Sequence, residues 1–216
     1  MDRVDRVDRV SSSSPPLVAE ASDRGAAIFA LPNLLSLFRV ALVPVVVVLL
    51  LWTAPWARVA AACTFIVACI TDYLDGYVAR SRKTTTVLGQ FLDPLADKLL
   101  VTAVLIMLVS APLEPRLPGW MAVVIVLREV AVTGLRAIAS QSGLVVPAQE
   151  LGKYKMIFQI FALTGLLLHY RFDVPGTQIA VDFHAAGMRF VWIALAVSVW
   201  SAIDYYVRVL RQIRLD

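Results

Sequence analysis

The sequence predicts an all-α, polytopic membrane protein with six transmembrane helices around a polar cavity that faces the cytoplasm. Three observations carry that expectation. Hydrophobic residues fill 59% of the 216 positions and mean hydropathy is +0.76, above the roughly 45–50% apolar share of soluble domains. Apolar runs recur along the chain, parted by Pro- or Gly-containing links. The charges that interrupt those runs gather at one end once the chain is threaded through a bilayer with its N-terminus inside.

Residues 1–28 hold three copies of Asp-Arg-Val followed by Ser and Pro, too polar to bury a core, so they are expected to form a disordered tail. Residues 29–212 then form one six-helix domain. No apolar stretch precedes a small-residue cleavage site near the start, so the first span is expected to direct insertion. From Leu34 to Trp56 the only charge is Arg39, from Val59 to Thr71 there is none, and Ala54 with Pro55 marks the break between spans one and two. Spans three to six centre on Leu99 to Ala111, Trp120 to Ala139, Met156 to Tyr170 and Phe190 to Ile203, with links at Pro112 to Pro115 and at Pro175 and Gly176. Several uncharged cores hold only 13 to 15 residues, short of the roughly 20 that cross hydrocarbon.

The shortening charges are Arg39, Asp72, Asp75, Asp93, Asp97, Arg128, Arg136, Lys153, Lys155 and Asp204, most of them at the cytoplasmic end. Arg80, Arg82, Lys83, Arg208, Arg211 and Arg214 add to that side; Arg58, Arg116, Arg171 and Arg189 fall on the other. Trp52, Trp56 and Trp120 fall near the outer ends, where amphipathic rings favour the headgroup layer. The net charge of +4 is spread among apolar runs without a continuous basic face, which fits anionic lipids and excludes a nucleic-acid partner. Cys63 and Cys69, six apart in an apolar run, point to different helix faces and cannot bond to each other; both are expected to pack internally.

Asp72 and Asp75 are three apart, and Asp93 and Asp97 four apart, so each pair shares a helix face. Pro94 suits a first turn, which places the start of span three close to Asp93. Four carboxylates at membrane depth repel one another unless protonated, paired or neutralised by cations. Pairing with Arg80, Arg82, Lys83 and Lys98 is the purely structural alternative. Divalent metal is the economical answer, and oxygen-only ligands favour Mg²⁺ or Mn²⁺ over Zn²⁺. No His or Cys is placed to compete, since His169 and His184 belong to the other side.

Asp72, Asp75, Gly76, Ala79, Arg80, Gly89, Asp93 and Asp97 match every fixed position of a known signature, and with it the chain resembles the CDP-alcohol phosphotransferases over roughly residues 30 to 212. The resemblance implies six membrane helices, a homodimer in the bacterial plasma membrane, and an active site on the cytoplasmic side with both termini. It implies that the four aspartates hold one or two divalent ions that grip the diphosphate of a CDP-activated lipid, with Asp97 as base. Asp72, Gly76, Ala79, Arg80 and Gly89 would then form the CDP-lipid site.

The segments Leu31 to Arg39, Arg128 to Arg136 and Leu151 to Lys155 are similar to those of the bacterial phosphatidylglycerophosphate synthase branch, which implies CDP-diacylglycerol as donor and glycerol 3-phosphate as acceptor. Arg39, Arg128, Arg136, Lys153 and Lys155 are the candidate ligands for the acceptor phosphate. The alternative is that Arg128 and Arg136 counter Glu129 and the aspartates while the lysines follow the positive-inside bias. Lys153 and Lys155, two apart, cannot share a helix face. Inositol phosphate and phosphatidylglycerol are alternative acceptors within the family. Aromatic prenyltransferases also use two aspartate motifs, but far more widely spaced. A cation-coupled transporter would need polar access from both faces, whereas the outer halves of most spans are almost continuously apolar.

Overall fold

The computed structural model describes residues 31–82, 87–141, 150–173 and 180–213, with the side chains of 31–33, 73–82, 87–95, 97, 150, 151, 153 and 213 outside the description. The expected tail, residues 1–28, also lies outside it. Six helices and one short hairpin make up the described chain: α1 (Leu31–Leu50), α2 (Pro55–Arg82), α3 (Val87–Ser110), α4 (Gly119–Gln141), α5 (Glu150–Leu168), β1 (Arg171–Asp173), β2 (Ala180–Asp182) and α6 (Phe183–Ile213). The all-α expectation holds.

Local chemistry explains the boundaries. Pro55 opens α2, where a missing N–H costs nothing, and the carbonyl of Ala54 accepts from the amides of Ala57 at 3.0 Å and Arg58 at 3.3 Å. His169 follows α5 with a φ of 61° and returns its amide to the Gly165 carbonyl at 3.1 Å, a left-handed helix cap. Asp182 caps α6 by accepting the Ala185 amide at 2.9 Å.

The helices run alternately up and down. At one end the α1–α2 turn, the α3–α4 link and the hairpin come together: Tyr170 donates its hydroxyl to the Thr53 carbonyl, and the ring Nε2 of His169 faces the Glu114 carbonyl at 3.3 Å. Trp52, Trp56 and Trp120 are exposed at this end, as expected. One apolar cluster joins the helices, with Val46, Phe65, Leu105, Met121, Leu163 and Val191 among its members. The closest backbone approach given by the glycines is between α5 and α6, where the buried Gly165 and Gly187 face each other.

Outward faces are also apolar. Val48, Ile70, Ile106, Leu127, Val130, Ile138, Trp200 and Ile203 are all more than half exposed, a distribution suited to lipid rather than water. Among the described residues, α2 (Pro55–Asp72) and α6 (Phe183–Gln212) hold stretches long and apolar enough to cross a membrane unaided. The stretches Leu34–Leu50, Lys98–Ser110 and Tyr154–Leu168 are apolar but shorter.

Two local expectations need correction. The helix α3 begins at Val87, not near Asp93, because Val87, Leu88, Phe91 and Leu92 extend an apolar helical pattern upstream; Pro94 therefore lies in the interior, where it leaves the Gln90 carbonyl without its usual donor. Cys63 is exposed rather than packed, since it shares the outward stripe of Val59, Ile66, Val67 and Ile70 on α2. The Pro175–Gly176 link is flanked by paired strands, Arg171 opposite Asp182 and Phe172 opposite Val181.

Candidate active site

At the end opposite the hairpin, α1 to α5 each contribute to one cavity of about 50 Å³, room for roughly four water-sized groups at about 10–15 Å³ each. Its floor is apolar, with Phe65, Leu105, Ile125 and Leu163. Among the described residues its charged lining is Arg39, Lys98 and Lys155 together with Asp72 and Glu129. That mixture of charges suits a small polar, anionic group better than an apolar one.

Two ion pairs tie helices together across this cavity. Arg39 of α1, 1% exposed, places Nη1 2.5 Å from Oδ1 of Asp72 on α2, whose side chain is 26% exposed. Lys155 of α5 meets the carboxylate of Glu129 on α4. Lys98 of α3 donates to Oγ1 of Thr133 on α4 at 2.5 Å. Burial of so many charged groups is tolerable because each lies beside an opposite charge or a hydroxyl.

The candidate residues separate into groups. Arg39, Asp72 and Lys155 come together in the cavity. Arg128 instead turns to α6, donating from Nε to the Ser198 carbonyl at 3.0 Å and from Nη2 to Oγ of Ser201 at 3.2 Å, with Nη1 3.7 Å from Glu129. Arg136 is exposed and sits over the Tyr205 ring, 5.9 Å from its centroid. Asp75, Gly76, Ala79 and Arg80 lie on the last turns of α2, and Gly89, Asp93 and Asp97 on the first turns of α3. Those seven residues, and Lys153 on α5, have side chains outside the described set. Among the described residues no three His, Cys, Asp or Glu side chains come together as a metal cluster.

Three lining residues had not been singled out as site residues. Glu129 and Lys98 enter through the contacts above, and Gln159 is buried one turn beyond Lys155. The four-residue spacings of Lys155 with Gln159 and of Glu129 with Thr133 were the available signals. Against the expectation that no His or Cys is placed to compete with the aspartates, Cys69, three residues before Asp72 and so on the same stripe, lines the cavity.

Comparison with known proteins follows this geometry. The family profile described as CDP-alcohol phosphatidyltransferase matches residues 29–200. A CDP-diacylglycerol--glycerol-3-phosphate 3-phosphatidyltransferase of Bacillus subtilis is 41% identical over 190 residues, covering 82% of this chain and 94% of its own length. A protein of the same description from Rickettsia bellii is 36% identical, covering 82% of this chain and 93% of its own. A cardiolipin synthase (CMP-forming) of Oryza sativa is 35% identical over 84% of this chain and 57% of its own length.

Proposed function

Because the chain belongs to the CDP-alcohol phosphatidyltransferase family, we propose that it transfers the phosphatidyl group of CDP-diacylglycerol to glycerol 3-phosphate, forming phosphatidylglycerophosphate and releasing CMP. The observation that carries this reading is the single cavity in which Asp72, from the four-aspartate pattern, meets the cations Arg39, Lys98 and Lys155. A carboxylate that can hold a divalent cation suits a diphosphate donor, and the basic side chains suit a phosphorylated acceptor.

In this reading all six helices cross the bacterial plasma membrane, the cavity and both termini face the cytoplasm, and two copies associate. The up-and-down helix order, the apolar outward faces and the exposed outer tryptophans support it. The shorter apolar cores belong to helices whose inner ends meet polar neighbours in the cavity rather than lipid.

Asp72, Asp75, Asp93 and Asp97 would hold Mg²⁺ or Mn²⁺. The fit rests on donor chemistry: the carboxylate of Asp72 lines a cavity that no histidine lines among the described residues, with one thiol, Cys69, beside it. When bound, such an ion supplies positive charge to the diphosphate and to the departing CMP. Asp97 takes the proton of the acceptor hydroxyl. The hydroxyl oxygen attacks the phosphorus that carries diacylglycerol, and the bond from that phosphorus to the CMP oxygen breaks. Helical register sets Gly76 and Ala79 four and seven residues beyond Asp72, on one stripe whose small side chains leave room for the nucleotide; Gly89 and Arg80 complete the donor site. Lys155 lines the cavity as a cation for the acceptor phosphate, and Arg39 joins that set from behind the Asp72 carboxylate. Arg128 and Arg136, which rest on α6, and Lys153 complete that set.

Purified protein given Mg²⁺, CDP-diacylglycerol and glycerol 3-phosphate is expected to release CMP and form phosphatidylglycerophosphate. The Asp97→Asn variant should keep its fold and lose about 10²–10⁴ of the rate; full activity there would remove Asp97 as base. Cation flux through liposomes without CMP release would replace the enzyme reading with a transporter. A second acceptor, phosphatidylglycerol, has support from the 35% identity to a cardiolipin synthase. Product identification with both acceptors present separates the two.

A further inference from the structure

Arg58 stands in the first turn of α2, at the hairpin end of the bundle and away from the cavity described above. It is only 1% exposed, yet its Nε and Nη2 have no hydrogen-bond partner, and no carboxylate among the described residues forms an ion pair with it. It borders a second, small cavity of about 10 Å³, together with His169, His184 and the apolar side chains of Leu108 and Leu166. Nδ1 of His184 is likewise buried without a partner. Nearby acidic groups are already engaged: Asp182 caps α6 through Ala185, and the Glu114 carboxylate holds Arg116 at 2.9 Å. The Tyr170 hydroxyl is used on the Thr53 carbonyl.

A guanidinium removed from water without an opposite charge is costly, and planar donors of this kind are built for anions. We propose that Arg58, His169 and His184 form an anion site at the outer end of the bundle, separate from the substrate cavity. Its volume admits one water-sized group, so the ligand is compact: a halide, or a single anionic oxygen of a phosphate that reaches in from the headgroup layer or from solution. Bound there, the anion joins the start of α2 to the end of α5 and the start of α6, and it stabilises the fold by the linkage of ligand to native state.

The test uses full-length protein in dodecyl maltoside, which carries no charge. Thermal midpoints are measured in sodium gluconate against sodium chloride at equal ionic strength, then with inorganic phosphate, then with added phosphatidylglycerol. A saturable rise of several degrees with at least one of these is expected, lost in Arg58→Met and reduced in His184→Gln. A response to chloride or inorganic phosphate identifies a free anion; a response to phosphatidylglycerol alone identifies a headgroup phosphate. No rise with any of the three, or an equal rise in folded Arg58→Met, overturns the proposal. Should Arg58→Met fail to fold, crystals of the wild type grown in sodium bromide decide: an anomalous peak or a lipid phosphate beside the Arg58 guanidinium supports the site, and a pocket holding water alone overturns it.

Discussion

Replacing Gly187 with alanine tests the packing on which the bundle depends. A Cβ at Gly187 would lie 2.7 Å from the Leu166 amide nitrogen, 2.9 Å from the Gly165 carbonyl carbon and 3.0 Å from the Ala162 carbonyl oxygen. All three are backbone atoms, so no rotamer change relieves the contact. The helices α5 and α6 must separate by about half an ångström or more before ordinary contact is restored. Overpacking of this kind costs about 1–3 kcal/mol, against which alanine's better helix propensity returns up to about 1 kcal/mol. With that gain in full, the net loss is up to about 2 kcal/mol, a thermal midpoint lower by up to roughly 8 °C for a chain of this size. Unfolding in mild detergent, followed by tryptophan fluorescence, measures it. Gly134→Ala is the control, because a Cβ there meets nothing within 4 Å, and its midpoint should stay level or rise. A Gly187→Ala midpoint equal to that of Gly134→Ala would refute the close approach of the two helices.

Three further outcomes are expected at the active-site cavity. Asp72→Asn removes the carboxylate beside the buried Arg39 and should cost about 2–3 kcal/mol of stability, below the roughly 3–5 kcal/mol of a fully buried pair because Asp72 is 26% exposed; an unchanged midpoint would show that the pair contributes nothing. Arg39→Gln, assayed by CMP release, should raise the Mg²⁺ concentration for half-maximal rate by about 10-fold, as the loss of an orienting partner does, and a lowered requirement would mean that Arg39 competes with the ion. Lys155→Gln should raise KM for glycerol 3-phosphate by about 10-fold with kcat little changed; an effect on CDP-diacylglycerol alone would move Lys155 to the donor site.

The order of the six helices was legible because apolar runs and their Pro or Gly breaks report lipid-compatible segments directly, and Pro55 marks the start of α2 where it was expected. Helix lengths were not. Hydropathy records the cost of placing a side chain in hydrocarbon, not whether the backbone stays helical. So α2 runs ten residues beyond Asp72, and α6 begins seven residues before Phe190. The hairpin escaped notice because three-residue strands are too short to show alternation. Within the site, Asp72 was readable from spacing alone, whereas its pairing with Arg39 joins residues 33 positions apart. Register shows that Lys153 and Lys155 diverge, but not which faces inward; the buried Gln159, one turn along from Lys155, settles that for Lys155.

An ion pair at Asp72 could be taken as the end of its chemistry, with the carboxylate fully committed to a basic neighbour. The burial of the two partners argues otherwise. Arg39 is 1% exposed and Asp72 26%, so the guanidinium stands behind the carboxylate and the carboxylate stands toward the cavity. Held from behind, Asp72 is fixed in direction, with its carboxylate toward the cavity. At Glu129 the exposures run the same way, 21% for the carboxylate against 11% for Lys155, so the carboxylate is again the more open partner. Each helix pair thus sets its carboxylate toward the cavity with the basic partner deeper in the wall, so the two ion pairs orient their acids as well as joining the helices.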